Sequence, residues 1–252
     1  MKRTGLMLFA LCMLFVACEN ENDTYTMEYP IAGEYTQLDV SSAFDVVVCD
    51  TVTKAVVTIA DRLQKYVVVN VEDGVLTIKL RPNMVIHSRN GKVLLPRNEK
   101  LCEVELSGAS SFMGDLKGDK LEVDLSGASY FEGTIQGKEV SIDLSGASDI
   151  EGTIDADNIE LDANGASTVK ATGSCLDELD LDLSGSSDFL APQMECRIVK
   201  GEMSGSSNAE FLVCESLQVS LSGSSNIVYG IPSGCTPTVR CSTSGSSSVN
   251  TR

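Results

Sequence analysis

One pentapeptide pattern governs what this chain can fold into. Leu106-Ser107-Gly108-Ala109-Ser110 returns as Leu125 to Ser129 and Leu144 to Ser148, and degenerates to Ala163-Asn164-Gly165-Ala166-Ser167. It then recurs at Leu183 to Ser187, Met203 to Ser207, Leu221 to Ser225 and Thr243 to Ser247. The central glycines (Gly108, Gly127, Gly146, Gly165, Gly185, Gly205, Gly223 and Gly245) are spaced 19, 19, 19, 20, 20, 18 and 22 residues apart. A short period held over eight copies specifies a solenoid, in which each repeat buries its apolar face against its neighbours. Within a repeat the apolar residues alternate: Leu121, Val123 and Leu125, then Val140, Ile142 and Leu144, sit six, four and two places before their glycine. Period two is a strand with that face inward. A second short strand follows the glycine, with Phe112, Phe131, Ile150, Val169, Phe189, Ile227 and Val249 in its inward slot. Helical periodicity is absent, and a propeller blade needs about twice this length. The expected fold is all-β: a right-handed, single-stranded parallel β-helix (β-solenoid) of about eight 19–20-residue coils. At about 4.8 Å per coil the rod would be roughly 40 Å long. Each glycine is expected at a sharp corner with positive φ, flanked by residues small enough to stack.

Residues 100–252 carry this pattern. Residues 31–99 lack the glycine signature but hold strand-like runs at Phe44 to Val48, Ala55 to Ile59, Tyr66 to Val71 and Val75 to Leu80, the last two joined by Asp73-Gly74, a hairpin signal. An uncovered solenoid end would recruit other chains through its strand edges. The segment is therefore expected to form irregular, strand-rich coils that precede and cap the rod. Residues 1–17 read as a secretory leader, with Lys2 and Arg3 before an apolar run too short to span a bilayer comfortably. The run ends Phe15-Val16-Ala17-Cys18, which resembles a bacterial lipobox with Cys18 as the lipidated residue. The acidic run Glu19 to Asp23 opens a solvated tether over residues 18–30 and looks like the surface-export signal of Bacteroidetes lipoproteins. This places the protein on the outer membrane, facing the cell surface or the periplasm, held to the bilayer by its lipid.

The lipobox leader, Phe44-Asp45-Val46-Val47-Val48, Asp73-Gly74-Val75-Leu76-Thr77-Ile78 and the tandem L-S-G-A-S coils together resemble the DUF2807 family of Bacteroidetes, whose label is "putative auto-transporter adhesin, head". The resemblance spans about residues 35–250. It implies a right-handed β-helix in the cell envelope and an adhesive role, and it brings no catalytic residues.

A formal charge of −17 argues against DNA, RNA and anionic lipid surfaces as partners. The acids are patterned. Glu103, Glu105, Glu122, Asp124, Asp143, Glu160, Asp162, Asp180, Asp182 and Glu202 occupy outward positions five and three places before successive glycines, so they should form one stripe over six coils. Stacked like charges repel. The stripe is read first as a solvated face that blocks aggregation, with a Ca²⁺ ladder and a docking face for a basic partner as alternatives. The serines around each glycine suit corner hydrogen bonds, since none is singled out beside a base. The only histidine, His87, sits in a polar stretch. Phe112, Tyr130, Phe131, Phe189, Phe211 and Tyr229 offer few platforms for a sugar.

Of nine cysteines, Cys12 leaves with the leader and Cys18 takes the lipid, so an odd number remains. Cys175, Cys196, Cys214 and Cys235 lie at similar distances before their glycines and are expected to stack as an interior ladder, either as disulfide partners or as small buried filler. Two functions follow. The first is a non-enzymatic envelope rod that displays or adheres, with a surface glycan or a protein as ligand and no cofactor. The second is a Ca²⁺-dependent, polysaccharide-active β-helix. Short uniform coils without cleft-building insertions favour the first.

Overall fold

The computed structural model describes residues 24–81 and 91–252; the leader, Cys18, the acidic run Glu19 to Asp23 and His87 lie outside them. The chain is nearly all strand and winds into a β-solenoid of about eight turns. From residue 120 to residue 221 the chain runs almost without interruption around each coil, as in the strands Asp149–Ala163 and Thr168–Leu183. Successive coils pair in parallel and in register: Leu121↔Val140↔Ile159↔Leu179 on one side, Phe112↔Phe131↔Ile150↔Val169↔Phe189 on the next. Identical side-chain slots thus stack on one another, and the inward alternation of the sequence becomes continuous apolar rows. Leu121, Val123, Phe112 and Phe131 are fully buried, and the rings of Phe112 and Phe131 stack with centroids 5.4 Å apart. Coil length runs from 18 to 22 residues, and register shifts between Lys170 and Ser174, Cys175 and Glu178, Leu190 and Glu195, and Cys196 and Ile198 absorb differences between neighbouring coils.

One such shift corrects the four-cysteine ladder. Cys175 pairs with Cys196, and both are buried. Cys196 then pairs with Val213, not with Cys214. A one-residue slip turns a side chain to the opposite face, so Cys214 is only half-buried, and it bonds to Cys235 with Cα atoms 4.8 Å apart.

The amino-terminal segment forms the expected hairpin across Asp73-Gly74 and departs from the regular winding in two ways. Its coils do not stack in chain order. Gln37–Val40 lies between Val75–Leu80 and Glu103–Leu106, parallel to both. Phe44–Val48 lies likewise between Gly91–Leu95 and Ser111–Met113. The first coil of the chain is therefore the second of the rod. Its corner is Ser41-Ser42-Ala43, with Ser42 and Ala43 at φ of 72° and 61° where later coils use glycine. The cap itself is antiparallel. Val67–Glu72 covers Val75–Leu80, Ala55–Ala60 covers Gly91–Leu95, and Thr24–Tyr29 lies outermost on Ala55–Ala60. Reversing strand direction stops the winding, so another coil cannot continue the parallel register at that end.

Candidate functional site

The repeated pentapeptide is consumed by the corner it builds. In all eight copies the serine two places after the glycine donates its Oγ–H to the backbone carbonyl of the residue just before the glycine, at 2.7–3.0 Å; Ser148 to Ser145 O and Ser167 to Asn164 O are examples. The acceptor is backbone, which explains why Asn164 replaces serine in the degenerate copy without loss of the corner. The donor must be the hydroxyl, and every copy keeps it. Ser110, Ser129, Ser148, Ser167, Ser187, Ser207 and Ser225 are buried, so these hydroxyls do not face a ligand. The glycine carbonyl in turn accepts from the backbone N–H following the next coil's glycine, as in Ala147 N to Gly127 O at 2.7 Å. Corners are thus hydrogen-bonded both within a coil and between coils.

The surface that remains for function is the acidic stripe. The sheet places Glu103↔Glu122, then Ser141, Glu160, Asp180 and Lys200, in one outward row, and Glu105↔Asp124↔Asp143↔Asp162↔Asp182↔Glu202 in the other. Sequence reasoning missed one member. Asp39 pairs with Glu105, so the second row holds seven consecutive carboxylates. Its signal, an outward acid two places before the Ser41-Ser42 corner, was hidden by the missing glycine. Among the described residues Lys138 pairs with Asp119, Arg197 with Asp177 and Glu215, and Lys200, the cation at the end of the first row, with Glu178. Gln37 Nε2 donates to Glu103, and Asp182 accepts the Glu202 N–H at 2.9 Å.

The stripe's electrostatics follow from that arrangement. Partial burial, then Asp143, Glu122, Glu105 and Glu103, push Asp124 up to about 6, and its Oδ1 is buried without a hydrogen-bond donor. Asp162 is raised by burial and by Asp143 and Asp182, and Glu105 by burial and by Asp39 and Glu103. A carboxyl whose folded pKa exceeds its unfolded one destabilises the fold when ionised, so stability from Asp124 is present near pH 4 and is lost as pH rises through 6. Asp124→Asn is expected to stabilise the rod at pH 7 by on the order of 1 kcal/mol, after discounting the shift for solvent screening, or about 2–4 °C in Tm. The gain should shrink on acidification and vanish near pH 4. Thermal melts of both proteins across that range check it; a gain independent of pH would rule out the ionisation as its cause.

Beside the second acidic row runs an open groove of about 620 Å³, lined by Asp143, Asp162, Asp182 and Glu202 and, one corner along, by Ser184 and Ser204. Toward the carboxyl-terminal end Ser220 and Ser242 take the carboxylates' places, so the acidic floor becomes a hydroxyl floor. The groove presents oxygen acceptors and no aromatic side chain. Of the aromatics considered as sugar platforms, Phe112, Phe131, Phe189, Phe211 and Tyr229 are buried; Tyr130 alone is half-exposed, hydrogen-bonded to Glu132. Among the described residues no three stripe carboxylates bring oxygens within 4.8 Å of one another. The one cluster that does combines Glu195 with the disulfide-bonded Cys214 and Cys235, whose sulfurs are already committed.

Residues 34–231, coils and cap together, match the DUF2807 family, described as "putative auto-transporter adhesin, head GIN domain". The chain belongs to the DUF2807 family. The resemblance seen in the sequence is thereby confirmed, and the family's adhesin description suggests a protein of the cell surface or envelope. Two solved structures described as putative adhesins share the fold: one from Parabacteroides merdae (19% identity, TM-score 0.78) and one from Parabacteroides distasonis (22%, 0.77). Each alignment covers 92% of this chain and 98% of the other. A third structure, described as a putative lipid binding protein from Parabacteroides distasonis, aligns over the same shares at 22% identity and a TM-score of 0.73. No curated protein matches.

Proposed function

We propose that this DUF2807 protein is a non-enzymatic display rod, anchored by lipid at Cys18 in the outer membrane, that presents its acidic, hydroxyl-edged groove to a surface glycan or protein. The observation that carries the reading is the fate of the repeat: its glycines and serines close the corners and its alternating apolar residues fill the interior. The recurring feature left facing outward is the acidic row that lines the groove. The adhesin description of the family and of the Parabacteroides structures supports the same reading. The lipid-binding description of the third structure finds no such support, because side chains such as Phe44, Phe112, Phe131, Phe189 and Phe211 fill the interior. The stripe works without a resident cation, as a hydrated negative surface that keeps rods from associating laterally.

Two measurements test the proposal together. Cys18→Ser is expected to shift the protein from the membrane fraction to the soluble fraction, because the lipid is its anchor; sedimentation unchanged after a salt wash would refute the anchoring. The mature protein, applied to a glycan array and incubated with acidic polysaccharides with and without millimolar Ca²⁺, is expected to show binding and no chain cleavage. Polysaccharide cleavage that needs Ca²⁺ and is abolished in Asp143→Asn would replace the display rod with an enzyme.

A further inference from the structure

We propose that Cys175 and Cys196 form a second inter-coil disulfide, buried inside the rod, when the protein folds in an oxidising compartment. The register assigns the partners. Cys175 and Cys196 are opposite one another on neighbouring parallel strands, and both side chains point into the interior at no more than 1% exposure. Neighbouring strands run about 4.8 Å apart, within the Cα range a disulfide spans. The bonded pair one coil farther on, Cys214–Cys235, shows that this solenoid accommodates such a bridge at a Cα separation of 4.8 Å. Cross-pairing is blocked by the register shifts on either side of Cys196, between Leu190 and Glu195 and between Cys196 and Ile198, which leave Val213 opposite it and turn Cys214 outward. The two pairs therefore lie on opposite faces of one wall. The other described cysteines have contacts of their own: Cys49 with Thr51, Cys102 with the Thr36 carbonyl, and Cys241 in register with Val219.

The chemistry is thiol–disulfide exchange with a disulfide-bearing oxidant, either an oxidoreductase or a small-molecule disulfide. The Cys175 thiolate attacks one sulfur of the oxidant, its S–S bond breaks, and one thiol leaves. Cys196, deprotonated as it reacts, attacks the Cys175 sulfur of the mixed disulfide, and the second thiol leaves. Two protein thiols are oxidised and one disulfide is reduced to two thiols. The thiols already interact, with the Cys196 hydrogen bond drawing Cys175 downward in pKa and the same bond and burial pushing Cys196 up. This favours Cys175 as the attacking sulfur. Because the closed coils bury both sulfurs, exchange takes place before the Gly185 and Gly205 coils have packed together.

The tryptic peptide spanning residues 171–197 contains both cysteines and no other. Full-length protein recovered from an oxidising compartment is denatured without reductant, alkylated and digested. The expected peptide carries no alkyl group and is two hydrogens lighter than the dithiol form, and it takes up two alkyl groups after reduction. In Cys175→Ser, Cys196 is expected to become alkylated while Cys214–Cys235 stays intact. Alkylation of both cysteines in the unreduced wild-type protein, or a cross-linked peptide joining Cys196 to Cys214, would overturn the assignment.

Discussion

Gly146→Val is expected to unfold or severely destabilise the rod, with a loss on the order of 3 kcal/mol or more. Two independent costs combine at this corner. Gly146 has φ of +79°, a conformation a β-branched residue adopts only under strain, and a Cβ there would lie 2.5 Å from the Gly127 carbonyl oxygen. That oxygen cannot retreat, because it accepts the Ala147 N–H that ties the two corners together. The outward neighbour Asp143 provides the contrast, since Asp143→Asn removes a charge from a repelling row and should be neutral or mildly stabilising. Denaturant melts of the two variants check the pair. Equal losses would mean that corner geometry does not limit stability.

Phe131→Ala is the second large effect, expected at about 3–5 kcal/mol. The ring is fully buried, stacked on Phe112 below and in register with Ile150 above, so its removal opens a cavity between two coils that parallel pairing holds at fixed spacing. Phe131→Leu should cost distinctly less, because most of the volume is kept. Chemical denaturation of the three proteins, read by circular dichroism, distinguishes a cavity cost from a specific need for the ring.

The sequence disclosed what periodicity encodes and concealed what depends on register. Eight corners, their inward rows and the acidic stripe were all legible because each coil repeats the same spacing and parallel pairing brings equivalent positions together. A second row of close approach was also written there and went unread. Gly114, Gly133 and Gly152 recur six residues after their corner glycines, and a Cβ at Gly133 would lie 1.8 Å from the Gly114 carbonyl oxygen. The coil at 37–48 escaped recognition for a physical reason: Ser42 and Ala43 adopt the left-handed conformation that glycine supplies elsewhere, and its neighbours in the rod are not its neighbours in the chain. Asp39 escaped with it. The cysteine ladder failed where coils of 20 and 18 residues meet, since spacing alone does not say on which side of the coil a residue is gained or lost.

The insertion of residues 37–48 between two other coils has a mechanical consequence. A membrane tether at one end and a bound partner on the rod would load the chain at its amino-terminal side under flow. Such a pull first meets the edge strand Thr24–Tyr29, which pairs on one side with Ala55–Ala60 and can peel bond by bond. It next meets Gln37–Val40, which is clamped on both sides by parallel partners, so extraction requires two ladders to yield together. The order of winding thus converts a solenoid end that would unravel like thread from a spool into an anchor point that resists tension.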